Sequence, residues 1–211
     1  MQVTEETTAN GGRRGPKGER GAVANRILQE AREQFARDGY AATTLQGIAR
    51  GAGVDTKLVR YYFSDKETLL TECLVTPSGL MDRVRAVAEA PRSERGELLV
   101  RTHLAAWADR DLATIMRTSL LIAAHEPVAM ARVRSVFVDG LLPAMGDVGD
   151  LEEARIRSGL VCTQLLGLAY ARFILAIDQT ASISDEDLVR LVGANLQHYL
   201  DTELRVHEQA S

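Results

Sequence analysis

The sequence predicts an all-α fold. Three observations lead there. Apolar residues recur at three- and four-residue spacing through most of the chain, the pattern of helices that bury one face. No run of alternating apolar and polar residues marks a strand. Pro77, Pro91 and Pro127, with the stretches Asp109-Arg110-Asp111, Gly146 to Asp150 and Thr180 to Ser184, cut the chain into pieces of helical length. The 211 residues, 45% hydrophobic and 26% charged, suffice for one large domain or for a small one fused to a larger one.

The elements follow in order. Asn10 to Gly21 sets Arg13, Arg14, Lys17 and Arg20 among glycines and a proline, a composition that forms no packed core. Residues 1–21 therefore read as a disordered basic arm, either a solvated tail or an arm that reaches along a DNA backbone into the minor groove. A first long helix is expected over residues 22–38, with Leu28, Ala31 and Phe35 as its inner stripe. Gly39 is placed to end it in a left-handed conformation.

Two very short helices come next. Thr43 is expected to cap the first, with Gln46 reaching back as in a capping box. Leu45, Ile48, Ala49 and Ala52 give it one narrow apolar stripe that needs a partner. Gly51 and Gly53 allow a sharp turn. Asp55 can cap the second helix, whose inner face holds Val59 and Phe63 and whose outer face holds Thr56, Lys57, Arg60 and Tyr61. Two helices joined by a glycine-containing turn form the helix-turn-helix, whose second helix enters the major groove. Lys57 and Arg60 suit base edges or phosphates, while Thr56 and the tyrosine hydroxyls suit phosphate oxygens. Ser64 and Glu67 form a second capping box, so another helix begins with Lys66 in its first turn, a position suited to a phosphate.

Charge agrees with that reading. Residues 10–66 hold eleven Lys or Arg against six Asp or Glu, a balance of +5, whereas residues 77–211 hold fourteen against nineteen, a balance of -5. A formal net charge of -4 thus hides a basic N-terminal part.

These residues resemble the TetR family of transcriptional regulators. The resemblance rests on Ile27 to Phe35 with Gly39-Tyr40, on Thr43-Thr44, Ile48-Ala49 and Ala52-Gly53-Val54, and above all on Tyr62-Phe63-Ser64-Asp65-Lys66-Glu67. It covers residues 22–72. It implies a three-helix DNA-binding domain at residues 22–68, followed by a larger helical ligand-binding and dimerisation domain at residues 69–211. It also implies DNA contact by Thr43, Thr44, Leu45 and Gln46, by Gly53 and Val54 in the turn, by Asp55, Thr56, Lys57, Arg60, Tyr61, Tyr62 and Phe63, and by Lys66. Asp55, Lys57 and Arg60 stand where the family often has Ser, Gly and Tyr, so no relative's base preference carries over. Leu58 to Phe63, and more loosely residues 98–200, are similar to a branch common in actinobacteria.

Beyond Lys66 helices are expected at residues 65–75, 78–90, 94–108, 111–125, 127–146, 150–178 and 184–204. In the penultimate one Ile156, Leu160, Thr163, Gly167, Tyr170, Ile174 and Ile177 alternate at four and three residues, a seam for near-parallel packing. Leu160 to Ile177 approaches the about 20 residues of a membrane span. Gln164 and Arg172 inside it, with no apolar extension, argue for a soluble protein, and the polar opening argues against a secretory signal. A cytoplasmic location is expected. Leu188, Leu191, Val192, Leu196 and Tyr199 line one side of the last helix. The resemblance implies that two such helices from each of two subunits close a homodimer.

For the helices between, the resemblance implies a pocket for a small-molecule inducer. His103, Trp107, Met116, Leu120, His125 and Gln164 are the lining residues expected, a mostly apolar set with polar handles. The same residues at helical spacing also fit an ordinary core. Catalysis is not expected. His103, His125, His198 and His207 form no metal-ligand cluster, and neither a glycine-rich phosphate loop nor a nucleophile elbow is present. No cofactor follows from the sequence. Cys73 and Cys162, in apolar helical contexts, read as small buried hydrophobes. The function expected is a dimeric repressor released from a double-stranded palindromic operator by a ligand. The alternatives are an activator and a helix-turn-helix interaction protein that does not bind an operator.

Overall fold

The computed structural model describes residues 16–75, 78–136, 140–145 and 150–203. Residues 1–15 of the expected arm, Pro77 and most of the expected break at Gly146 to Asp150 lie outside them. The described residues contain twelve α-helices and no strand.

The first helix, α1 (Pro16–Ala42), starts earlier than the expected residue 22, so the glycine- and arginine-rich stretch is helical from Pro16 onward. Proline suits a first helical position, where no N–H is needed. Ile27, Ala31 and Phe35 are fully buried, whereas Leu28 is only partly so. Ala31 and Phe35 thus form the inner stripe as expected, with Ile27 in place of Leu28. Gly39 does take a positive φ of 77°, but with ψ at 168° it kinks the helix rather than ending it.

Against α1 pack α2 (Leu45–Gly51), α3 (Thr56–Phe63) and α4 (Lys66–Cys73). Ile48, Val59, Phe63, Leu69 and Leu70 join Ile27 and Phe35 in one cluster, which also takes in Ile122 and Ala129 from farther along the chain. The small N-terminal core thus borrows from the larger helical part.

That part comprises α5 (Ser78–Glu89), α6 (Arg95–Ala108), α7 (Arg110–Ile122), α8 (Pro127–Arg134), α9 (Leu142–Met145), α10 (Leu151–Ala169), α11 (Asp178–Ala181) and α12 (Asp185–Asp201). The helix expected at 94–108 opens with a 3-10 turn over Arg92–Glu94. The one expected at 127–146 is described as two, α8 and α9. The one expected at 150–178 runs regularly only to Ala169. It then widens into a π turn, Tyr170–Ile174, where Leu175 N–H donates to the Tyr170 carbonyl at 2.8 Å. Ala176, at φ 49°, breaks it.

The closest helix pair is α6 with α12, and glycines permit it. A Cβ on Gly96 would lie 2.4 Å from the Gly193 carbonyl oxygen, and one on Gly193 would lie 2.9 Å from Glu97 Cα. Around this contact Leu99, Val100, Leu104, Leu188, Leu196 and Leu200 form the main core with Val161, Leu165 and Leu168 of α10. Arginines close helix ends by donating to orphan carbonyls. Buried Arg157 donates to Tyr199 and, at 2.8 Å, to Thr202 at the end of α12, while pairing with Glu153. Buried Arg95 donates to Ala88, at 2.9 Å, and to Ala90 at the end of α5.

Candidate DNA interface and effector cavity

Of the three caps that hold the helix-turn-helix, Asp55 is the one expected and the other two lie one residue away. Thr44, not Thr43, caps α2, and its hydroxyl accepts from Gly47 N–H at 3.0 Å. Thr43 is 2% exposed and instead donates its hydroxyl to the Gly39 carbonyl at 2.8 Å, bracing the kink. Gln46 is exposed and makes no capping box. In the turn, Gly53 has φ 66°, and Val54 N–H closes onto the Ala49 carbonyl at 2.9 Å. Asp55 caps α3 by accepting from Lys57 N–H at 2.6 Å. At the next helix Asp65 takes the role expected of Ser64, accepting from Thr68 N–H at 2.7 Å. That bond, above all, holds the Asp65 carboxyl below the ordinary carboxylate range. Ser64 itself sits at φ 49°, which aims the chain into α4.

These caps fix which side of α3 faces out. Val59 and Phe63 are buried, Thr56, Leu58 and Tyr62 are half-buried, and Lys57 and Arg60 are exposed. Tyr61 is 71% exposed, its ring edge-on to Tyr62 with centroids 5.4 Å apart. The same surface includes exposed Thr44 and Gln46, with Leu45 and Val54 half-buried beneath. Arg50, which the sequence reading did not single out, adds an exposed guanidinium in the last turn of α2.

Lys66, expected at a phosphate, is held internally in this structure. Its ammonium donates to the Tyr40 carbonyl at 2.7 Å and the Thr43 carbonyl at 2.9 Å, and stands 4.2 Å from the Tyr40 ring centroid. It clamps α4 to the end of α1. A phosphate would have to compete with three internal contacts.

Two adjoining cavities lie among α5, α6, α7 and α8. One, about 30 Å³, is lined by Leu80, Trp107, Ile115, Met116, Ser119, Leu120, Arg132, Val133 and Val136. The other, about 50 Å³, is lined by Leu80, Met81, Val84, Leu99, Thr102, His103, Ala106, Met116, Val136, Leu141 and Leu165. His103, Trp107, Met116 and Leu120 are thus brought together. His125 is not, being exposed just beyond the end of α7. Nor is Gln164, whose amide donates to the Tyr199 hydroxyl at 3.1 Å on the far side of α10. Burial of the His103 ring lowers its pKa from 6.5 to about 4. The ring is neutral at pH 7.

The expected seam divides in two. On α10 Thr163 and Gly167 are exposed and Leu160 is half-buried, so this row remains open to a partner; in the π turn beyond, Ile174 is half-buried and the Tyr170 hydroxyl turns back to donate to the Leu120 carbonyl at 2.8 Å. On α12 Leu188 and Leu196 are buried in the chain's own core, while Val192 and Tyr199 are half-buried. The outward side of α12 carries Leu191, 50% exposed, with Ala194, Asn195 and His198. The reason is the glycine contact with α6, which rotates the larger apolar residues of α12 inward.

Comparison with known proteins bears on this arrangement. Residues 27–73 match the sequence profile of the bacterial regulatory proteins of the tetR family, and residues 93–200 match that of the tetracyclin repressor-like C-terminal domain. A TetR-family regulator from Streptomyces coelicolor is 31% identical, over 91% of this chain and 100% of its own, with a TM-score of 0.61. The chain belongs to the TetR family. It is a transcriptional regulator of that family, whose members bind DNA and are not enzymes. More distant structures share the fold. NalD, the secondary repressor of the MexAB-OprM multidrug efflux pump in Pseudomonas aeruginosa, is 18% identical over 84% of this chain and 96% of its own, with a TM-score of 0.58. FadR from Bacillus subtilis, solved with stearoyl-CoA, is 18% identical over 84% of this chain and 97% of its own, again with a TM-score of 0.58. No curated protein matches this regulator. Among its described residues no helix is long and apolar enough to cross a membrane, and no group of three or more His, Cys, Asp or Glu could hold a metal ion.

Proposed function

We propose that this regulator binds a palindromic operator in the cytoplasm as a homodimer and represses by occupancy until a small molecule releases it. The observation that carries the reading is the outer face of α3, where Lys57, Arg60 and Tyr61 stand exposed on a helix anchored from behind by Val59 and Phe63. Two such faces about one DNA turn apart, ~34 to 36 Å, match successive major grooves. The outward row of α10 supports a second copy. The paired cavities support a ligand, as do the stearoyl-CoA bound to FadR and the triclosan bound to SmeT, a structure 20% identical to this chain. DNA and ligand then act as antagonists through α4, the helix between the reader and the cavity.

Fluorescence anisotropy with the DNA upstream of its own coding region tests the reading. Binding should prefer that sequence over a scrambled one and fall linearly with log salt. Arg60→Ala should cost about 1 to 3 kcal/mol and relax discrimination at one base position. Equal binding to scrambled DNA, or no binding, would leave an interaction protein as the better description.

A further inference from the structure

The two cavities have a chemical character that narrows what they accept. They share Leu80, Met116 and Val136 as a common wall, and Met116 is an unbranched thioether that changes rotamer readily. Separately they hold a few waters at most. The Trp107 ring on the first and the His103 ring on the second stand edge to face, with centroids 6.4 Å apart.

Two lining residues each hold a nitrogen that is buried without a hydrogen-bond partner among the described residues, the indole Nε1 of Trp107 and the imidazole Nε2 of His103. A buried donor left unsatisfied carries a desolvation penalty, and native structures rarely leave one without cause. The indole N–H can only donate. Phe173 stacks on the Trp107 ring at 4.5 Å and 9°, which holds the indole plane in place. The Ser119 hydroxyl on the same wall is already used, donating to the Ile115 carbonyl at 2.8 Å.

Charge is nearly absent. Among the described residues neither lining contains Asp or Glu, so nothing would neutralise a cation. The sole charged lining residue among them is Arg132, whose Nε donates to the Leu74 carbonyl at 2.9 Å, at the end of α4. That bond ties the guanidinium to the end of α4, and a charge buried among the remaining apolar walls would be costly.

We infer that the effector is an uncharged, mostly apolar molecule carrying an oxygen acceptor that takes the Trp107 N–H, with the His103 ring beside it. This rests on the reading of the cavity as an effector site. Satisfying Trp107 requires an acceptor, and walls this apolar penalise a buried charge.

Four probes of one size and different chemistry test it: benzylacetone, butylbenzene, phenylbutylammonium and phenylbutyrate. Binding to the full-length protein is measured by calorimetry, with the emission of Trp107, the one tryptophan in the chain, as a second readout. Benzylacetone should bind about three- to tenfold more tightly than butylbenzene, the worth of one hydrogen bond. Both charged probes should bind more weakly than the ketone. Trp107→Phe keeps a stacking ring and should erase the ketone's advantage over the hydrocarbon. The comparison of probes on the unaltered protein stands even if that variant does not fold. Tighter binding of either ion, equal binding of ketone and hydrocarbon, or an advantage that survives Trp107→Phe would overturn the inference. So would failure of all four to bind to protein that still binds operator DNA. Failure of operator binding without any probe present would count instead against the regulatory reading.

Discussion

His103 is the residue whose environment makes the clearest solution prediction. Burial holds its folded pKa at about 4, below the ordinary 6.5. A depressed value means that the unfolded chain takes up the proton first. Stability from the neutral ring is therefore complete above pH 6.5 and is lost as pH falls toward 4, amounting to about 3 kcal/mol over that window. Denaturant melts at pH 7.5 and pH 5 should differ less for His103→Leu than for the unaltered protein. An identical difference would show that acid sensitivity lies elsewhere. At this scale the sequence was partly legible. The types and spacing of Lys57, Arg60, Val59 and Phe63 already predicted an outer and an inner face for α3. Nothing about Lys66 in the sequence tells that its ammonium turns back to Tyr40 and Thr43, because both carbonyls are brought to it by the kink at Gly39.

At the scale of elements, the α6–α12 contact is the structural decision with the widest effect. Alanine ordinarily stabilises a helix relative to glycine by about 1 kcal/mol. At Gly96 it should do the opposite, since the added Cβ would meet the backbone of Gly193 and Gln197 at 2.4 and 2.7 Å. We expect Gly96→Ala to destabilise the protein by about 1 to 3 kcal/mol, the range for overpacking. Gly21→Ala in α1, where nothing lies within 4 Å, serves as the control and should be neutral or stabilising. Thermal melts followed by circular dichroism distinguish the two, and a gain in stability at Gly96 would mean that the helices part easily. Spacing predicts that α12 has an apolar side. It does not tell whether that side meets the chain's own core or a second chain, because Leu188 and Leu196 suit either.

For the molecule as a whole the question is assembly. Gly167 stands on the outward row of α10 with nothing within 4 Å of where its Cβ would be, so the chain itself accepts a large residue there. A dimer seam would not. Analytical ultracentrifugation should show two chains sedimenting together at micromolar concentration, and Gly167→Arg should shift them to single chains with an unchanged far-ultraviolet spectrum. A wild-type monomer, or a Gly167→Arg dimer, would contradict the assembly proposed above.

What the sequence by itself determined is the fold class, the family and the reading helix. Each depends on local signals: helical periodicity, caps within a residue or so of their place, a turn glycine and a dense run of residues at fixed spacing. Tertiary structure alone decided which polar groups are used internally and which remain available. Lys66 and Arg132 are drawn to carbonyls at helix ends, His125 and Gln164 fall away from the cavities, and Trp107 and His103 keep unsatisfied nitrogens beside them. The physical reason is the reach of the interactions. Periodicity and capping act within a few residues of chain, whereas a buried donor finds its acceptor across tens of residues, through packing that no short stretch encodes.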